Sequence, residues 1–392
     1  MQEVAKKYNV NYFYINQVGA NDEYVYDGIS RLYGKQGEIL VRAKAFEEDF
    51  IVINNFMGEI NKYPKGMDIY NLDNFSLDYE NDLERTYLAL KLAIKDYFLK
   101  NGFKKAVLGL SGGLDSTICA TIVADAIGAK NVLGVSMPSK LTSSDSKNDA
   151  KDLAQNLGIE FMEIPIKDLQ IVFSDKLNSA FEEINFEGRY NQSYTQDNIQ
   201  ARSRAMILWG IANEYSATIP IATSDKSESY MGYATINGDM SGGYSPIIDV
   251  TKTKLFALAR WMNKNRKTKN AIPQTIIEKP PGAELAINPK TGKTLLAEEA
   301  LMPYEFLDEV IWRIENLNQT VENMFDSKFL YEKSNIISTE QKKEWLKKFF
   351  ARLNFAPYKW YIAPPGPIID INSINKAEFK QPIISNVNCL KS

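Results

Sequence analysis

Short apolar runs alternate with polar turn clusters over the first 62 residues, after which the period changes. Asn11–Asn16 (NYFYIN), Gly28–Tyr33, Glu38–Ala43 and Phe50–Asn54 read as strands separated by Gly and Asp turn signals. Residues 63–78 (YPKGMDIYNLDNFSLD) show no clear period and read as a linker. From Asn81 onward, Leu83, Tyr87, Leu90, Ile94 and Tyr97 recur at helical spacing, and Gly102 stands where that helix should stop. Strand Ala106–Leu110, helix Ser116–Ile127, strand Val132–Ser136, helix Ser146–Leu157 and strand Ile159–Ile164 follow. A long helix near Asp197–Tyr215, strand Thr218–Ala222 and helix Lys252–Asn263 come next. Residues 264–300 are polar and punctuated by Pro and Gly, and read as one long loop of the kind that is functional or disordered. Helices near Tyr304–Phe325 and Thr339–Phe350 precede a proline-rich tail.

Strands alternating with helices imply right-handed βαβ units and a doubly wound parallel α/β sheet, whose ligands bind beyond the carboxyl ends of the strands. The loops Ser111–Asp115, Met137–Thr142 and Thr223–Glu228 therefore carry the chemistry. The period changes divide the chain into a strand-rich unit (1–62), a linker (63–80), a main α/β domain (81–355) and a tail (356–392).

Composition narrows the function by exclusion. With 46 Lys+Arg against 49 Asp+Glu the net charge is −3, which gives no basic excess for nucleic acid. No apolar stretch is long enough to span a membrane, and the N-terminus has no signal-peptide core, so a cytoplasmic location is expected. Two cysteines, Cys119 and Cys389, suit neither a disulfide framework nor a thiolate metal site, and Cys119 lies among apolar residues of a helix. The chain has no histidine, which excludes Ser–His and Cys–His catalysis and any histidine metal centre. Chemistry is left to carboxylates, amines, hydroxyls, backbone amides and hard metal ions.

The segment AVLGLSGGLDST (106–117) meets that requirement. Gly112 and Gly113 let the backbone approach a ligand, and consecutive amides with the following helix N-terminus converge on an anion. Ser111, Ser116 and Thr117 add hydroxyl donors. Asp115 would repel a phosphate unless Mg²⁺ lay between them, and Mg²⁺ prefers oxygen ligands. Without a cation, the same residues describe a glycine turn with Ser116 as a helix cap. The lysine of the Walker loop, GxxxxGK[ST], is absent.

SGGLDST resembles the signature of the ATP pyrophosphatases, the PP-loop family, in which the loop grips the pyrophosphate released on adenylation. Amidotransferases and tRNA thiolases share that signature. DNIQARSRAMILWGIANEYSA, IATSDKSESYMGYATINGDMSGGYSPIIDVTKTKLFALARWMN and IPQTIIEKPPGAEL resemble consecutive blocks of NAD synthetase, from about residue 80 to YKWYIAPPG in the tail. The resemblance implies an adenine-nucleotide α-hydrolase-like fold and ATP-dependent amidation of deamido-NAD by ammonia, through an acyl-adenylate, with release of AMP and pyrophosphate. It further implies ATP and Mg²⁺ as ligands and a homodimer. A tRNA thiolase would carry a basic surface and paired reactive cysteines, which this chain lacks. A degenerate relative that only binds nucleotide is the other alternative.

Carried onto this sequence, the resemblance implies that Ser111, Gly112, Gly113 and Ser116 hold the β- and γ-phosphates. Asp115 and Glu228 bind Mg²⁺, with Glu228 also near deamido-NAD. Thr223 contacts ATP, and Lys252 contacts phosphate and with Asp115 serves catalysis. Asn198, Arg202 and Lys359 contact deamido-NAD. On residue type alone, Glu228 also fits a surface acid, Lys252 a solvated first-turn lysine, and Asn198 with Arg202 one solvated helical face. The family block reads TGNKSE where this chain has Thr-Ser-Asp-Lys-Ser-Glu, so Asp225 adds a negative charge beside the proposed metal.

Residues 1–62 resemble the last third of a nitrilase-fold (αββα) glutaminase, the domain fused to glutamine-dependent NAD synthetases. Its cysteine, glutamate and lysine would belong upstream of the matching segment, and no cysteine precedes Cys119. The expectation is a truncated glutaminase remnant and ammonia that is free or supplied by a separate glutaminase chain.

Overall fold

In a computed structural model of the chain, residues 1–54, 61–62, 79–184, 192–266, 268–287, 294–333 and 337–370 are described. The expected linker at 63–78 and the tail beyond 370 lie outside them.

The N-terminal unit opens with helix α1 (Gln2–Tyr8), closed by Asn9 in the left-handed region. Strands β1 (Tyr12–Tyr14), β4 (Arg31–Tyr33) and β5 (Ile39–Arg42) form an antiparallel sheet in the order β1-β4-β5. Strands β2 (Val18–Asn21) and β3 (Tyr24–Asp27) form a hairpin across Asp22, whose φ is +53°. A short pair, β6 (Ile53–Asn54) and β7 (Asn61–Lys62), completes the unit. The alternation in the sequence located β1, β4 and β5, and of the strand expected at Phe50–Asn54 only Ile53–Asn54 (β6) forms; it did not find α1 or the hairpin, which has too few residues to establish a period.

Helix α2 (Tyr79–Asn101) packs against β2 and β3. One face buries Leu83, Tyr87, Leu90, Ile94 and Phe98 in the central core. Asp96 accepts from the Ala20 amide at 2.8 Å and so holds β2 on the same helix. Gly102, at φ +77°, releases the chain into the sheet.

The central sheet is fully parallel, in the order β10-β9-β8-β11: β8 is Lys105–Gly109, β9 Val132–Ser136, β10 Glu160–Glu163 and β11 Thr218–Pro220. Helix α3 (Leu114–Ile127) links β8 to β9, and α4 (Ser144–Leu157), capped by Ser143 and ended by Gly158, links β9 to β10. Strands β9 and β10 lie on one side of β8 and β11 on the other, so loops diverge at the carboxyl end of β8. A doubly wound sheet binds ligands at such a reversal. Helices α5 (Lys167–Glu183) and α6 (Gln192–Glu214) precede β11, and α5, absent from the sequence reading, buries none of its residues. Short helix α7 (Lys226–Tyr230) and helix α8 (Lys252–Asn265) follow.

Two expectations are corrected beyond this point. Residues 264–300 are not one loop: α9 (Gln274–Glu278) buries Ile276 and Ile277 in the core, β12 (Gly282–Ile287) pairs with β13 (Thr294–Leu296), and α10 (Ala297–Ala300) follows. Pro and Gly punctuation concealed elements too short for periodicity to register. The single helix expected over Tyr304–Phe325 is two, α11 (Tyr304–Leu317) and α12 (Val321–Phe325), divided where Asn318 turns to φ +49° and Thr320 caps the next turn. Helix α13 (Thr339–Phe355), capped by Ser338, and the single turn α14 (Pro357–Trp360) end the described elements and, with α11, form a second core.

Candidate active site

A cavity of about 270 Å³ opens at the carboxyl ends of β8, β9 and β11. Its floor is the glycine loop. Gly112 takes φ +76°, and a Cβ there would lie 2.3 Å from the Ser146 carbonyl oxygen at the start of α4, so only glycine fits. The Ser111 and Ser116 hydroxyls are 3.1 Å apart, the Gly113 amide donates to Ser111 Oγ at 3.2 Å, and Ser116 Oγ donates to the Gly113 carbonyl at 3.1 Å. Thr117 Oγ1 donates to the same carbonyl at 2.8 Å. The loop is thus held open in front of the α3 N-terminus, where backbone amides attract an anion.

Asp115, in the first turn of α3, meets two other carboxylates at one ammonium. Lys252 Nζ lies 2.7 Å from Asp115 Oδ1, 2.6 Å from Asp225 Oδ2 and 3.1 Å from Glu228 Oε1. The three acids have oxygens within 4.8 Å of one another. Lys252 is the first residue of α8, and its amide donates to Ser227 Oγ at 2.8 Å. Asp225 caps α7 by accepting from the Glu228 amide at 2.9 Å. The Tyr304 hydroxyl donates to Glu228 Oε1 at 3.3 Å, and its ring lies beneath the Lys252 ammonium.

Burial divides the cluster. Lys252 and Asp225 are shut away from solvent, whereas Asp115 and Glu228 retain part of their exposure, and Asp115, Glu228 and Lys252 line the cavity. Burial raises the Glu228 carboxyl to about 8, with Lys252 pulling it down and Asp225 and Asp115 pushing it up. Burial raises Asp225 as well, against the opposing pull of Lys252. The lysine is held protonated by its three carboxylates in spite of burial.

Ser111, Gly112, Gly113, Asp115, Ser116, Thr223, Glu228 and Lys252 are all brought to this cavity. The surface-acid reading of Glu228 and the solvated-lysine reading of Lys252 do not hold. Asn198, Arg202 and Lys359 are not among the cavity's described lining residues; instead each contacts the segment after α7. Asn198 Oδ1 accepts from Thr235 Oγ1 at 2.7 Å, Arg202 Nε donates to the Ile236 carbonyl at 3.2 Å, and Lys359 Nζ donates to the Gly232 and Ala234 carbonyls at 2.7 and 2.5 Å. On α6 the cavity takes Ala201, Arg204, Ala205 and Leu208, the face beside Arg202. Sequence reasoning missed Arg204, Tyr304 and Lys279, whose ammonium donates to Ser146 Oγ. The 201/204/205/208 spacing was the available signal for Arg204. Cys119 is fully buried and burial raises its thiol, which makes it a core residue. A smaller cavity of about 70 Å³ runs from Glu23 to Ser224, a residue that also lines the main cavity.

Comparison with known proteins gives the same direction. The NAD synthase family model matches residues 86–349. The chain is 36% identical over 393 residues to a glutamine-dependent NAD(+) synthetase of Aquifex aeolicus, covering 94% of this chain and 64% of that protein. It is 39% identical over 330 residues to the glutamine-dependent NAD(+) synthetase of Thermotoga maritima, covering 78% of this chain and 55% of that one. Among solved structures, the glutamine-dependent NAD+ synthetase of Acinetobacter baumannii in complex with adenosine diphosphate superposes with a TM-score of 0.63 at 27% identity, over 97% of this chain and 63% of that one. The chain therefore spans between about half and two-thirds of the length of these relatives. With the family match covering most of its length, this chain belongs to the NAD synthase family.

Proposed function

We propose that this chain amidates deamido-NAD to NAD with ATP and ammonia, through an acyl-adenylate. The observation that carries the reading is the convergence of Asp115, Glu228 and Lys252 on the glycine loop within one cavity. The loop amides and the Ser111 and Ser116 hydroxyls take the β- and γ-phosphates of ATP, and Thr223 meets the nucleotide at the end of β11. The adenosine diphosphate complex of the Acinetobacter baumannii relative supports an adenine nucleotide at this fold.

The donor set fits Mg²⁺: three hard carboxylate oxygens face a single ammonium, which leaves an excess of negative charge. Asp115 and Glu228 would hold the ion, which when bound supplies neutralisation of the polyphosphate charge. Lys252, held by the three carboxylates at the cavity wall, presents its ammonium to the phosphates. A nicotinate carboxylate oxygen then bonds to the α-phosphorus as the bond to the β-phosphate breaks and pyrophosphate leaves. Ammonia attacks the acyl carbon, AMP departs, and the ammonium proton is lost to solvent. Neither step needs histidine, because the carboxylate is already a nucleophile and the adenylate is already activated.

Asn198, Arg202 and Lys359 take the dinucleotide through the 232–236 segment they all contact, next to the ATP cavity rather than inside it. We infer that ammonia is taken free or from a glutaminase, as the glutamine dependence named for the relatives suggests. The cavity from Glu23 to Ser224 suits entry of a small nucleophile from the side of the N-terminal sheets. A homodimer is supported by α5, which leaves Val172, Phe173 and Phe181 exposed on an apolar face. Incubating the purified chain with deamido-NAD, ATP and Mg²⁺, with ammonium or glutamine as nitrogen source, tests the function. Product with ammonium alone is expected; binding of ATP without product would favour the nucleotide-binding relative.

A further inference from the structure

The ATP cavity uses Lys252 and leaves a second buried lysine unexplained. Lys226 is fully buried, directly follows Asp225, and belongs to the helix that carries Glu228. It does not line the ATP cavity; its ammonium lies 2.8 Å from Glu315 Oε2, 3.1 Å from Asp249 Oδ1 and 3.2 Å from Asp370 Oδ2. Tyr230 OH, one turn on, donates to Glu315 at 2.8 Å. Asp249 and Glu315 are buried with the ammonium and hold it closely, since a misplaced charge there is strongly destabilising, whereas Asp370 is 42% exposed and reaches it from the surface.

One partner, Asp370, comes from the extended segment after α14. That segment is held at several points. The Ile369 and Asp370 amides donate to Asp249 Oδ2 at 2.7 and 2.9 Å, the Pro365 carbonyl accepts from the Ser245 amide at 2.8 Å, and Gly366 passes so close to the Ser245 carbonyl that a Cβ would lie 2.2 Å from it. Just before it, Trp360 Nε1 donates to the Ser229 carbonyl of α7 at 2.7 Å. The Ile368 amide, however, donates to the carbonyl of Glu23 at 2.7 Å, in the turn of the N-terminal hairpin. The segment therefore touches the helix of the ATP site at one side and the N-terminal unit at the other.

We propose that Lys226 and Asp370 form a positioning latch: they fix α7, and hence Glu228, against segment 363–370, and through Ile368 make occupancy of the ATP cavity and docking of the N-terminal hairpin favour one another. Lys226 and Asp370 touch no substrate. The inference rests on the reading of the main cavity as the ATP site. Coupling of this kind is reciprocal, so ATP must tighten the hairpin contact as much as that contact tightens ATP.

Hydrogen exchange on the full chain with and without ATP and Mg²⁺ tests it. In the wild type, ATP should slow exchange in the loop 111–117 and also in 18–27 and 364–370, the last two by about threefold or more. Asp370→Asn should keep protection at 111–117, lose it at 18–27, and raise KM for ATP by about tenfold with kcat within about twofold, and Asp370→Glu should restore both. Protection of 111–117 with no change at 18–27 in the wild type overturns the latch, and this arm needs no variant to fold. Wild-type kinetics in Asp370→Asn overturn it equally. If 111–117 is not protected either, the ATP reading fails and the latch with it.

Discussion

Lys252 Nζ and Asp225 Oδ2 lie 2.6 Å apart, and the two side chains are 1% and 0% exposed, so the negative charge this chain carries in place of the family's asparagine is spent on the lysine that lines the cavity. The sequence puts that charge beside the proposed metal, and the fold brings it within reach of the same ion as Asp115 and Glu228 while pairing it with the lysine. Asp225 gives Lys252 a permanent counter-ion while the partly exposed Asp115 and Glu228 face the ligand space.

Lys252→Met should therefore cost about 3–5 kcal/mol, because it leaves buried carboxylates facing one another. Adding Asp225→Asn should return part of that loss, whereas Asp225→Asn alone should stay within about 1 kcal/mol, since Asn still caps α7 and Lys252 keeps two partners. Urea denaturation of the three variants measures the cycle.

The two loop glycines should respond differently. Gly112→Ala forces an L-residue to φ +76° and a Cβ to 2.3 Å from the Ser146 carbonyl, whereas a Cβ at Gly113 meets the Ser111 hydroxyl at 3.1 Å. Titration calorimetry with ATP and Mg²⁺ should show binding reduced by about tenfold or more for Gly112→Ala and by much less for Gly113→Ala.

Glu228 sets a pH dependence. Its carboxyl is raised from 4.5 to about 8 in the folded chain, so its contribution is fully present below pH 4.5 and is lost as pH rises through about 8. Without ligands, stability should fall across that window, by at most about 1.4 kcal/mol per pH unit for one proton. Glu228→Gln should flatten the slope in denaturation curves taken from pH 5 to 8.5.

How far the sequence reached depends on how local each feature is. The glycine loop was legible because a strand, two glycines and a helix start are contiguous. Asp115 and Lys252 are 137 residues apart, and only resemblance brought them together. Burial of Lys252 depends on Tyr304 and Asp225 closing around it, which no first-turn pattern conveys. Arg202 was named by resemblance alone, but the cavity takes Arg204 on the neighbouring face of α6, set by how that helix packs on β8 and β11. The short elements within 264–300 were missed because β12 and β13 are defined by pairing rather than by composition.

Helix α5 supplies a test of assembly. Light scattering should give twice the 44.4 kDa chain mass for the wild type, and Phe173→Asp, which places a charge on the exposed apolar face, should shift it toward the monomer. A monomeric wild type would remove the homodimer from the account.

The central claim is adenylation at the glycine loop, and oxygen transfer tests it most directly. Deamido-NAD labelled with ¹⁸O in its nicotinate carboxylate, incubated with this chain, ATP, Mg²⁺ and ammonium, should pass one label to the phosphate of AMP as NAD forms. Unlabelled AMP formed together with NAD, or ADP and phosphate in place of AMP and pyrophosphate, would contradict it.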